Sequence, residues 1–195
     1  MIRRRNVIFL LIDGGLIILR STREVTTVSE SKISTKKLTV TAAIIAINLV
    51  LNQFTLAFGT LLEIGFAFLA IAVLAYLYGP IHAGLASVIA DLIGFLLRPN
   101  GFFFPGFSLN ALLMGIIYGI FLYKKEVTLG RVALAVLVVT ILIHLILTPI
   151  WLNIMFGSPL FAVPRIIKAV VLYPIEVGLL YGLLKNLRKM RLRLF

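Results

Sequence analysis

The chain contains no cysteine, a single tryptophan, and only seven acidic residues against nineteen basic ones. The missing cysteine excludes disulfides, thiolate metal sites and cysteine nucleophiles together, and it leaves the compartment unread from redox chemistry. No GxxxxGKS/T phosphate loop, HExxH pair or nucleophile elbow occurs, so the residues for ATP hydrolysis or hydrolytic catalysis are not in place. No repeat with a period of about 20 to 50 residues is visible, nor the duplicated halves of many secondary transporters.

What is there is apolar. Hydrophobic residues make up 61% of the 195 and mean hydropathy is +1.11, more apolar surface than a soluble globule of this size hides. A bilayer needs about 20 apolar residues per helical span. The breakers Gly59, Gly79-Pro80, Pro99-Asn100-Gly101, Pro105-Gly106, Gly130 and Gly157-Ser158-Pro159 divide the run into predicted helices at 38–58, 62–78, 80–98, 106–123, 131–152 and 160–184. The fold class expected is thus an all-α, six-transmembrane-helix bundle over residues 34–190. Residues 1–33 are expected to form a cytoplasmic or interfacial leader, since the apolar run Val7 to Leu19 is broken by Asp13-Gly14-Gly15 and is too short to span. Residues 191–195 are expected to form a basic cytoplasmic tail.

The net charge of +12 points to nucleic acid only if the cations form a patch on a soluble surface. Here they cluster between hydrophobic runs: before helix 1, around Lys124, Lys125 and Arg131, and at Lys185, Arg188, Lys189, Arg191 and Arg193. No nucleic-acid partner is expected. All three clusters fall on one side, and the positive-inside rule makes that side, with both termini, cytoplasmic. Arg98, Arg165 and Lys168 fall on the other side and need a different explanation. His82 and His144 are predicted on opposite sides of the membrane, so no two-histidine metal site is expected, and no metal or other cofactor.

Given that orientation, polar residues gather toward the outer half: Asn48, Asn52, Gln53 and Thr55, then Glu63, Asp91, Ser108 and Asn110, then His144, Thr148 and Trp151, then Arg165 and Lys168. The spacings of Asn48, Asn52 and Thr55, and of His144, Thr148 and Trp151, predict one shared helix face for each trio. Polar groups facing lipid are costly, so an outward-opening polar pocket is expected. Arg165 and Lys168, one turn apart, suit a carboxylate-bearing ligand or snorkelling to lipid phosphates. Asp91 suits hydrogen bonds from ring nitrogens, or neutralisation of Arg98; His144 suits a structural hydrogen bond. The loop Arg98 to Gly106, with Phe102, Phe103 and Phe104, suits either a ring laid over a heterocycle or an interfacial aromatic belt. Ala42 and Ala46 form a small-xxx-small pair that permits close approach of another helix, inside this bundle or on a partner.

The run Gly79 to Tyr123, followed by Thr148-Pro149-Ile150-Trp151-Leu152, Arg165-Ile166-Ile167-Lys168 and Pro174, resembles the folate-family S components of energy-coupling-factor importers over about residues 34 to 190. The resemblance implies a multi-pass protein of the bacterial cell membrane that captures a vitamin from outside. It implies partners as well: a folate-class small molecule, the lipid bilayer, and a transmembrane coupling subunit carrying two ATPases. By position, Ala42 and Ala46 match the family's docking motif, and Trp151, Arg165 and Phe102 to Phe107 match its ligand region. One pair departs: Asn52-Gln53 stands where the family pattern carries Ser-Arg, leaving a folate variant or another water-soluble vitamin open as ligand. A self-sufficient secondary transporter or channel, and an intramembrane enzyme using His144 or Asp91, are the readings from other classes.

Overall fold

The computed structural model describes residues 34–53, 55–58, 62–97, 103–157 and 163–193. The expectations for residues 1–33, and those for Arg98 and Phe102, lie outside the described residues. The compact unit runs from Leu38 to Phe195.

Helix α1 spans Thr35–Gln53. It is followed not by more helix but by an antiparallel hairpin of β1, Thr55–Phe58, and β2, Leu62–Gly65, with Thr55 opposite Gly65 and Phe58 opposite Leu62. This corrects helix 1 at 38–58 and helix 2 at 62–78, and it takes Thr55 off the helix face assigned to Asn48 and Asn52. Four-residue apolar runs do not separate strand from helix by pattern, and pairing two short strands satisfies backbone groups that a membrane-depth loop would leave open.

Helix α2, Ala67–Tyr78, is apolar throughout and supplies the centre of the core: Ala72, Leu74 and Ala75 are completely buried. An all-apolar helix needs neighbours on every side. Its 12 residues extend only about 18 Å. Gly79, at φ +89°, turns the chain directly into α3, Pro80–Leu97, a conformation favouring glycine.

Helix α4, Pro105–Leu122, lies against α3 with backbone touching backbone. A Cβ on Gly115 would sit 2.7 Å from the carbonyl of Ala83, and one on Gly119 would overlap the backbone of Pro80. This Gly-xxx-Gly stripe is the small-residue seam of the bundle; the sequence reading singled out Ala42 and Ala46 and passed over it. Those two alanines are exposed, while Thr41, Ile44 and Asn48 of the same helix turn inward, so the alanine pair does not pack inside this bundle.

Helix α5 runs continuously over Leu129–Phe156, but its middle, Thr140–Leu147, is π-helical. Pro149 follows at once. A proline ring clashes with the carbonyl four residues back and offers that carbonyl no N–H, so a wider turn just before it relieves both problems. Helix α6, Val163–Arg193, carries Pro174 within it and faces the core with Leu172, Val177, Leu180 and Leu184. Its helical path extends to Arg193, beyond the predicted end at 184.

Among the described residues, α1, α3, α4, α5 and α6 are each long and apolar enough to cross a bilayer, and α2 is shorter. Their outer surfaces are apolar too, with Leu96 77%, Ile81 74% and Val170 68% exposed. Such a surface is stable in lipid and not in water. The protein is a multi-pass membrane protein, all-helical among the described residues apart from one hairpin.

Candidate ligand site

The site is built at the end of the bundle where α4 begins. Phe104 precedes Pro105, and Gly106 lies beneath Trp151: a Cβ there would meet Trp151 Cδ2 at 2.7 Å and strike the Phe104 ring. Only glycine lets these rings close to 5.7 Å between centroids at 54°. Phe107 adds a third ring, 6.1 Å from Phe104 and at 71°. Phe103 packs edge-on against Phe95 of α3 at 5.3 Å. Such offset and edge-to-face contacts are the favoured aromatic geometries.

Asn110, one turn further into α4, is buried and ties α4 to the outer part of α5. Trp151 Nε1 donates to Asn110 Oδ1 at 3.0 Å, and Asn110 Nδ2 donates to Thr148 Oγ1 at 3.2 Å. One amide thus fixes the indole ring and the hydroxyl together. Beside it Ser108 Oγ donates to Asp91 Oδ2 at 2.6 Å, the short length expected when the acceptor is charged. Asp91 is therefore held by α4, with its second oxygen still able to accept. Asn48, on α1, is spent on structure, donating from Nδ2 to the Ala67 carbonyl at 2.8 Å.

Helix α6 contributes the cations. Arg165 is half-buried, and its Nη1 is fully buried with no hydrogen-bond partner among the described residues. A buried guanidinium donor left unpaired is costly. Lys168 follows one turn along α6 and is half-buried.

The trio of His144, Thr148 and Trp151 is only partly brought together. Thr148 and Trp151 meet at Asn110, whereas His144, inside the π-helical segment, is exposed and makes no hydrogen bond among the described residues. Asn52 and Gln53 end α1, both exposed, with Asn52 beside Gly94 of α3. Ser108, Thr148 and Gly106 carry more of the geometry than the sequence suggested. The one available signal was Gly106 between two aromatics, which marks a close approach.

Among the described residues no group of three metal-ligating side chains forms. The ring cluster, the amide-indole pair and the Asp91 carboxylate are held around the start of α4, and α6 carries a guanidinium whose buried Nη1 is open among the described residues, inside a multi-pass bundle. This is the equipment of a membrane-embedded substrate-binding component. The model of the ECF transporter substrate-specific component matches residues 36–192, and the chain belongs to that family; it is a transporter subunit and not an enzyme.

Two named relatives are close. "Folate transporter FolT" of Clostridium novyi (strain NT) is 33% identical over 153 residues, covering 77% of this chain and 89% of that one. "Folate transporter FolT" of Leuconostoc mesenteroides subsp. mesenteroides is 34% identical over 164 residues, covering 80% and 88%. Among solved structures, a crystal structure of FolT bound with folic acid superposes with a TM-score of 0.69 at 43% identity, covering 75% of this chain and 90% of the other.

Proposed function

We propose that this chain binds folate or a folate derivative from the outer face of the membrane and delivers it inward when docked on a coupling subunit and its two ATPases. The observation that carries the reading is the similarity, at 43% identity, to a structure holding folic acid. The chemistry of the site suits that ligand. Trp151, Phe104 and Phe103 offer faces for a flat pterin or benzoate ring, Asp91 offers an acceptor for ring N–H groups, and the open donor of Arg165, with Lys168 a turn away, suits a glutamate carboxylate. Asn110 holds Trp151 in place. Asn52, Gln53 and His144, all exposed, are the positions where a folate variant would be distinguished.

In this reading the bundle crosses the membrane six times, with α2 as a short central span. The basic ends around Lys124 and Lys185 are cytoplasmic, which puts both termini inside and the ring cluster outside. The exposed pair Ala42 and Ala46 offers a low-profile helix face for the coupling subunit. Calorimetric titration of the purified protein with folate, 5-formyltetrahydrofolate, riboflavin, thiamine and pantothenate tests the ligand class: heat with the folates alone is expected, and binding of another vitamin in their place refutes it. Uptake in a host with and without the coupling subunit and ATPases tests the mechanism. Uptake by this chain alone would mark a self-sufficient transporter.

A further inference from the structure

At the end of the bundle opposite the ring cluster, the α4–α5 turn and the last turns of α6 meet in a corner that the binding reading does not use. Lys124, Lys125, Lys185 and Lys189 are exposed there, with Arg131 and Arg188 half-buried. The one acid among them, Glu126, is already committed: Arg188 Nη1 lies 2.7 Å from its Oε2 and Nη2 donates to Oε1 at 3.0 Å. Arg131 Nη1 donates to the Glu126 carbonyl at 3.0 Å. The fork uses up the local negative charge and ties the turn to α6, leaving the charges of the four lysines and Arg131 uncompensated.

Two further features show a shaped corner and not a loose fringe. Lys124 holds φ +52°, a left-handed backbone uncommon for a residue with a side chain. Its Nζ sits 5.2 Å from the Tyr123 ring centroid, and Lys185 Nζ sits 5.3 Å from that of Tyr181. Cations over tyrosine rings at the end of a span match the headgroup level of a bilayer. Immediately along the same helices, Leu129 is 54%, Leu134 52% and Leu179 39% exposed, a surface for acyl chains and not for water.

We infer that this corner binds the phosphate of an anionic phospholipid, with the lysines around the headgroup and the adjoining leucines along the chains. A lipid is favoured over an acidic protein segment because the cations and the exposed leucines are contiguous, and only an amphiphile satisfies both. Each lysine near an anionic surface contributes enough that its replacement by glutamine should weaken binding about fivefold.

The test is native mass spectrometry of the detergent-purified full chain titrated with phosphatidylglycerol and, separately, with phosphatidylcholine of the same chains. Tighter retention of phosphatidylglycerol is expected, lost stepwise in Lys124→Gln, Lys125→Gln and Lys185→Gln and reduced by salt. Trp151 emission, read at the far end of α4, should be unchanged in these variants and confirms that each is folded. Equal retention of the two lipids, or a phosphatidylglycerol preference untouched by all three substitutions, refutes the site. Competition by inorganic phosphate at the same concentration as the lipid would show an anion site with no lipid requirement. Displacement by a polyglutamate peptide in place of that behaviour would assign the corner to an acidic protein partner. Either result overturns the lipid assignment.

Discussion

The pair α3–α4 and the pair α5–α6 are made by opposite means. Helices α3 and α4 meet through Gly84, Gly115 and Gly119, with almost no side chain between their backbones, and neither carries a proline beyond its first residue. Helices α5 and α6 each carry a break near the middle, the π-helical stretch before Pro149 and the interior Pro174. Close backbone packing leaves nothing to rearrange without separating the helices. Broken helices have backbone groups that tolerate more than one arrangement. The difference teaches a division of labour for the proposed site: α3–α4 is a fixed spine carrying Asp91, Ser108 and Asn110, while Trp151, Arg165 and Lys168 stand on helices broken near the middle.

Substitutions at five positions probe that division, beginning where the largest change is expected. Arg165→Ala should weaken folic acid binding by about 30- to 4,000-fold, the ~2 to 5 kcal/mol typical of removing a desolvated charge partner. Thermal stability should hardly change, because Nη1 has no hydrogen-bond partner to lose among the described residues. Pteroic acid, which lacks the glutamate, should bind the wild type more weakly and notice the change far less; equal losses for both ligands would remove the carboxylate role. Arg165→Lys should rescue folic acid binding only in part, since the planar fork is lost.

Next comes the spine. Gly119→Val should destabilise the protein by ~1 to 3 kcal/mol or more, because the new atoms meet the backbone of Pro80 and not a side chain that can turn aside. A fall in the unfolding midpoint of the detergent-solubilised protein reads it. Gly178→Ala on α6, where a Cβ meets nothing within 4 Å, should leave that midpoint unchanged or slightly raised. If the two behave alike, the contrast between spine and adjustable pair fails.

Asn110→Ala joins the two regions and should cost less, about 0.6 to 1.7 kcal/mol, from the average to the maximum measured for hydrogen bonds between transmembrane helices. It frees the Trp151 N–H, so the indole emission should shift even where stability barely moves. Smallest of all is Glu126→Gln. The partners in its ion pair are 41% and 68% exposed, and exposed pairs contribute about 0.2 to 1 kcal/mol before screening; its effect on the melting midpoint should vanish in high salt.

Where glycine and proline adjoin, the helix ends were readable in advance: Gly79-Pro80 and Pro105-Gly106 place α3 and α4 within one residue of their observed limits. The polar groups of the outer half were readable one at a time from the cost of facing lipid. Their pairing was not. Asn110 meets Trp151 across 41 residues, and no spacing rule reaches that far. The predicted face of His144, Thr148 and Trp151 assumed 3.6 residues per turn through a stretch that is π-helical, and only Pro149 hinted at the change. Thr55 failed for a related reason, since Thr-Leu-Ala-Phe reads equally well as helix or strand and its partner strand decides. The Gly115-xxx-Gly119 seam was visible in the sequence and was missed in favour of the alanine pair on α1.

Trp151 is the only tryptophan in the chain and stands in the ring cluster, so its fluorescence reports on the site and on nothing else. Titration of the purified protein with folic acid should quench or shift that emission saturably, with a midpoint moved to higher concentration in Arg165→Ala. Binding of folic acid by calorimetry with no change in Trp151 emission would place the ligand elsewhere in the bundle and contradict the assignment of this site.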